Sequence, residues 1–67
     1  MIAKRLKELR KNKDITQKEL AKQLDVVQSA VSQWESGINE PTASCIVKIC
    51  DYFNVCADYL LGRQDWY

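Results

Sequence analysis

Residues 17 to 24 and residues 28 to 35 each carry a helical pattern of apolar side chains, and only "DVV", residues 25 to 27, lies between them. So short a connection makes the two helices pack directly on one another at a steep angle, which needs a small residue at the crossing and a tight reversal of the chain. The start of the first is marked by Thr16 standing three residues before Glu19. That spacing lets the Thr hydroxyl accept from the Glu19 amide while the Glu carboxylate reaches back to the Thr16 amide. A helix beginning at Gln17 buries Leu20, Ala21 and Leu24, with Ile15 packed back across its start. Ala21 is the small residue that the crossing requires. In the second pattern, "QSAVSQWE", a projection at about 100° per residue gathers Ala30, Val31 and Trp34 on one side. Gln28, Ser29, Ser32 and Gln33 fall on the other, an uncharged face where solvated helices ordinarily carry Lys and Glu.

The rest of the chain supplies three more helical patterns. Ile2, Ala3, Leu6 and Leu9 recur at helical spacing in "IAKRLKELRKNK", with Lys and Arg outside, and the pattern ends near Asn12. Gly37 suits the left-handed residue that closes a helix, and Pro41 with Thr42 suits an extended entry followed by a new N-cap. From Ala43 to Phe53, the residues Cys45, Ile46, Ile49, Cys50 and Phe53 share a face. A last short helix, about Ala57 to Leu61, contributes Tyr59, Leu60 or Leu61 to the core and stops at Gly62. No stretch alternates with period two. The expected architecture is all-α: a compact five-helix domain over residues 1–62, followed by a short tail, residues 63–67. With 67 residues the chain supports one core.

A formal net charge of +1 conceals a strong asymmetry. Residues 1–24 hold eight Lys and Arg against three Asp and Glu, a net +5, whereas residues 25–67 are net −4. A polyanionic partner for the N-terminal half is one reading, and a solvated Lys-rich helix is the competing one. The first residues lack the apolar run of a signal peptide and no span is long enough to cross a bilayer, so a cytoplasmic protein without membrane contact is expected. Three cysteines and no His argue against a disulfide framework and against a metal site, and Cys45 and Cys50 read as small core residues. No cluster of carboxylates or thiols and no Gly-rich loop suggests a reaction, so neither an enzyme nor a cofactor is expected.

Two short helices, a three-residue turn, a small residue in the first and an amphipathic second make a helix-turn-helix at about residues 17–35. "TQKELAKQLDVVQSAVSQWESG" resembles that motif in the Cro and phage-repressor family, often called the Xre family. The basic first helix, the Pro-Thr entry and "FNVCADYLLG" extend the resemblance over roughly residues 2–62. It implies that the helix 28–35 lies in the major groove of double-stranded DNA with Gln28, Ser29, Ser32 and Gln33 at base edges. The chemistry of that face agrees, because a Gln amide offers a donor and an acceptor side by side, matching N6 and N7 of adenine, while Ser hydroxyls either donate or accept. The family further implies that Gln17 holds a phosphate and orients Gln28, with backbone amides at the Thr16–Gln17 helix start assisting. Lys18, Lys22 and Arg10 are the cations nominated for phosphates, and the loop before the fourth helix adds Asn39 and Thr42. Arg5 is open to two readings, a phosphate contact or an internal ion pair with Glu35. Two positions depart from the family: Asp25 where Gly is common, and Val27 where a Ser or Thr cap is usual.

Trp66 and Tyr67 close a small polar tail, and an aromatic pair there reads as a contact between copies, with Val55, Asp58 and Tyr59 nearby. The bland reading is a frayed end. A homodimer presents two recognition helices about 34 Å apart to a pseudo-palindromic site. The resulting expectation is a sequence-specific transcriptional regulator, a repressor, controlled by its concentration and dimerisation rather than by a small-molecule ligand. The alternative is a protein-interaction module, an antitoxin or adaptor, that retains the same fold.

Overall fold

The computed structural model describes residues 2–66. Five helices follow one another: α1 (Ile2–Asn12), α2 (Gln17–Leu24), α3 (Gln28–Ser36), α4 (Ala43–Phe53) and α5 (Ala57–Leu60). No strand occurs among the described residues. Each helix sends one side chain wholly out of solvent: Leu6, Leu20, Val31, Ile49 and Leu60 are the fully buried centre of a single core. Burying such a side chain contributes about 1.5–3 kcal/mol, so every helix depends on the same centre. α3 packs on α1 and α2, α4 on α2, and α5 on α1 and α4.

The helix ends form by the local chemistry that their residues carry. At α2, the Glu19 amide donates to Thr16 Oγ1 at 3.0 Å and the Thr16 amide donates to Glu19 Oε1 at 2.8 Å. The Thr16 backbone amide, and after it the Thr16 hydroxyl, hold the Glu19 carboxyl below the ordinary carboxylate range. Asp25 turns left-handed at φ 57° and its amide closes α2 on Ala21 and Lys22, a conformation Asp tolerates better than most residues. Val26 donates to the Ala21 carbonyl at 2.9 Å, and Lys48 of α4 donates to the Leu24 carbonyl at 3.4 Å. Gly37 ends α3 at φ 81° with nothing within 4 Å of where a Cβ would sit, so glycine is needed there for its backbone alone. Thr42 caps α4 through Cys45.

Three details differ from the expected pattern. α3 runs on to Ser36, and α5 stops at Leu60, leaving Leu61 39% exposed. The apolar face of α4 is narrower than its spacing implies: Ile49 and Cys50 are buried, while Cys45, Ile46 and Phe53 are half-buried. Burial raises the Cys50 pKa, which keeps it a thiol and suits it to a packing role. The segment after Leu61 folds back on the domain. Arg5 lies 4.2 Å over the Tyr59 ring and donates to the Gln64 carbonyl and to Asp65 Oδ1, at 3.2 and 3.3 Å, while Gln64 donates to Cys56 Sγ at 2.9 Å.

Candidate nucleic-acid interface

The outer face of α3 is the one its uncharged residues define. Gln28, Ser29 and Ser32 are exposed and Gln33 is half-buried, while Val31, Trp34 and Glu35 turn inward. What fixes this helix is partly apolar and partly ionic. The Glu35 side chain is only 2% exposed, a burial that a carboxylate sustains only when paired and hydrogen-bonded. Arg10 Nε donates to Glu35 Oε2 at 2.6 Å and Arg10 Nη2 to Oε1 at 3.0 Å, a two-point fork. Gln17 Nε2 adds a third donor to Oε1 at 3.1 Å, and Arg10 Nη1 donates to the Ile15 carbonyl at 2.8 Å. The hydrogen bond to Glu35 raises the Arg10 pKa, outweighing desolvation. One ion pair thus joins α1, the start of α2 and α3.

This arrangement bears on two of the arginines read from the sequence. Arg10, nominated for a phosphate, has all three guanidinium nitrogens on internal acceptors, so its charge is directed into the domain. Glu35 pairs with Arg10 rather than Arg5, because Arg5 is drawn to Tyr59, Gln64 and Asp65. Gln17 also turns its amide nitrogen inward to Glu35. Lys18 and Lys22 are exposed on α2 and enter no ion pair among the described residues. The Thr16 and Thr42 oxygens both accept backbone amides as caps. Asn39 is tied to the recognition face itself, its Nδ2 donating to Gln33 Oε1 at 2.6 Å. Val55 and Tyr59 are half-buried, Asp58 is exposed, and Trp66 is 70% exposed. Tyr67 lies outside the described residues.

Val27 precedes α3 in extended conformation without a side-chain cap and is 68% exposed. Its backbone angles are already those of an N-cap, so a hydroxyl there needs no rearrangement of the chain. Val27→Ser is expected to stabilise the domain by about 1 kcal/mol, read as a higher urea midpoint at unchanged slope; a midpoint at or below the parent's refutes it.

The sequence profile of the helix-turn-helix family matches residues 6–60. The chain is 36% identical over 64 residues to the HTH-type transcriptional regulator ImmR of Bacillus subtilis (strain 168), covering 96% of this chain and 50% of that protein. It is 39% identical over 61 residues to the HTH-type transcriptional activator BcrR of Enterococcus faecalis, with 91% and 30% covered. A third relative is the antitoxin PezA of Streptococcus pneumoniae serotype 4, 38% identical over 64 residues, with 96% and 40% covered. The chain therefore spans half or less of the length of these relatives. Among solved structures, the crystal structure of the P22 c2 repressor protein in complex with synthetic operator 9T superposes with a TM-score of 0.85 at 30% identity, over 90% of this chain and 91% of that one. A family match over most of the domain, the observed packing of α2 on α3 and the shared repressor fold agree: the chain belongs to the Cro and phage-repressor (Xre) family of helix-turn-helix DNA-binding transcriptional regulators, which are not enzymes.

Proposed function

We propose that this protein is a sequence-specific regulator that inserts α3 into the major groove of double-stranded DNA and represses by occupying its site, acting in the cytoplasm as a homodimer on a pseudo-palindrome. The observation that carries the reading is the side of α3 left to solvent: Gln28, Ser29 and Ser32 present hydrogen-bonding groups of both kinds and no charge. Gln33 extends that face. Affinity then comes from phosphates, with Lys18 and Lys22 as free cations, the Thr16 and Thr42 hydroxyls as donors, and amides at the starts of α2 and α3. Gln17 contributes through its backbone amide, since its side chain is committed to Glu35. Trp66, with Val55, Asp58, Tyr59 and Tyr67, forms the contact between copies.

An antitoxin or adaptor role is the second reading, favoured by the similarity to PezA. The two separate in one titration. Binding to mixed genomic duplex is expected to weaken steeply with salt, and Gln28→Ala is expected to cost about 1–3 kcal/mol of selectivity at one base pair while leaving the melting temperature unchanged. Absence of any salt-dependent DNA binding by the parent chain would sink the regulator reading in favour of the second. Equal selectivity in Gln28→Ala would remove Gln28 from the reading face.

A further inference from the structure

At the end of α3 the chain reverses through Gly37, and the Ile38 and Asn39 amides both turn back to the Gln33 carbonyl, at 3.1 and 3.4 Å. Ser36 Oγ donates to the same carbonyl at 3.2 Å. This turn sets the Asn39 side chain beside that of Gln33, where Nδ2 donates to Oε1 at 2.6 Å. Gln28 and Gln33 are therefore unlike, although the same residue type stands at both positions. Among the described residues no hydrogen bond holds the exposed Gln28 side chain, so its amide is available to offer a donor and an acceptor together, the pair that adenine N7 and N6 require. Gln33 has its acceptor engaged by Asn39, while among the described residues its Nε2 donates to no partner.

The geometry points to Asn39 as a positioning residue that fixes the polarity of Gln33, so that Gln33 acts on the groove chiefly as a donor and selects guanine or thymine rather than adenine. In the major groove guanine offers O6 and N7 and thymine offers O4 as acceptors, whereas reading adenine through both N6 and N7 requires the glutamine oxygen to be free. Asn39 acts through Gln33 and touches no base. This inference rests on the DNA-binding reading above.

The test is selection from a randomised duplex library with the parent chain, Gln33→Ala, Asn39→Ala and Asn39→Asp. Gln33→Ala locates the base pair read by Gln33, as the position where preference disappears. The parent is expected to enrich guanine or thymine there, and Asn39→Ala to relax that preference. Asn39→Asp reverses the polarity: a carboxylate accepts from Gln33 Nε2 and turns Oε1 outward, so the position is expected to shift toward adenine or cytosine by on the order of tenfold. The added charge lowers affinity overall, which leaves a base preference unmoved, so the readout separates positioning from electrostatics. Enrichment of adenine by the parent, or the same preference in the parent and Asn39→Asp, overturns the assignment while leaving the regulator reading intact. If the parent enriches no sequence, both fall.

Discussion

Arg10→Ala is expected to destabilise the domain by about 3–5 kcal/mol, because it strands a buried carboxylate. Glu35 would keep only the Gln17 amide as a side-chain donor, and a single neutral hydrogen bond does not replace a two-point guanidinium fork. Domains of this kind have a stability of roughly 0.05–0.15 kcal/mol per residue, so a loss of that size removes a large share of the whole. Glu35→Ala is expected to be similarly damaging, since it orphans the Arg10 guanidinium between α1 and the Ile15 carbonyl. The informative variant is the double one. Arg10→Met with Glu35→Leu removes both charges and fills their space with apolar groups, and is expected to recover most of the stability of either single change, as a buried pair is often matched by well-packed hydrophobic residues. Urea unfolding followed by circular dichroism decides the matter. An Arg10→Ala variant within 1 kcal/mol of the parent would mean that the pair is solvated in practice and does not hold α3.

That node also marks where the sequence was hard to read. Apolar spacing placed the helices, Thr16 and Glu19 announced their capping box, and Ala30, Val31 and Trp34 were separable from Gln28, Ser29 and Ser32 by projection alone. These features are local, fixed within one turn of helix, and so visible along the chain. The ion pair is not local. Arg10 follows Leu6 by four residues and Glu35 follows Val31 by four, which puts a charge of each sign on an inward stripe. That coincidence is the available signal, and it also fits Arg5, which lies three residues after Ile2. Arg5 and Arg10 are distinguished only by how α5 and the segment after it close over α1, bringing Tyr59, Gln64 and Asp65 to Arg5. Asn39 was hidden for a related reason. Its place beside Gln33 follows from the reversal at Gly37, and the sequence marks that a turn occurs there without saying which side chain it delivers to the recognition face.

Trp34→Ala is expected to cost about 3–5 kcal/mol, and the reason bears on function as much as on stability. α3 is nine residues long, too short to persist as a helix by its own propensity, so its shape depends on what its inner side touches. That side consists of Val31, Trp34, the half-buried Ala30 and the Glu35 carboxylate. Trp34 is the largest of these and lines the groove shared with Ile2 and Ala3 of α1. Its truncation opens a cavity where α3 meets α1, and DNA binding should fall with the folded fraction, unlike Gln28→Ala, which should weaken binding in a domain that melts normally. Fluorescence separates the two tryptophans: in a Trp66→Phe background the remaining emission should be blue-shifted and shielded from iodide, whereas Trp66, 70% exposed, should be quenched readily. A Trp34→Ala variant of parental stability would mean that Val31 and the Arg10–Glu35 pair suffice to seat α3. The recognition helix would then be held mainly by charge, and its alignment would respond to changes at Arg10 far more than to changes in the core.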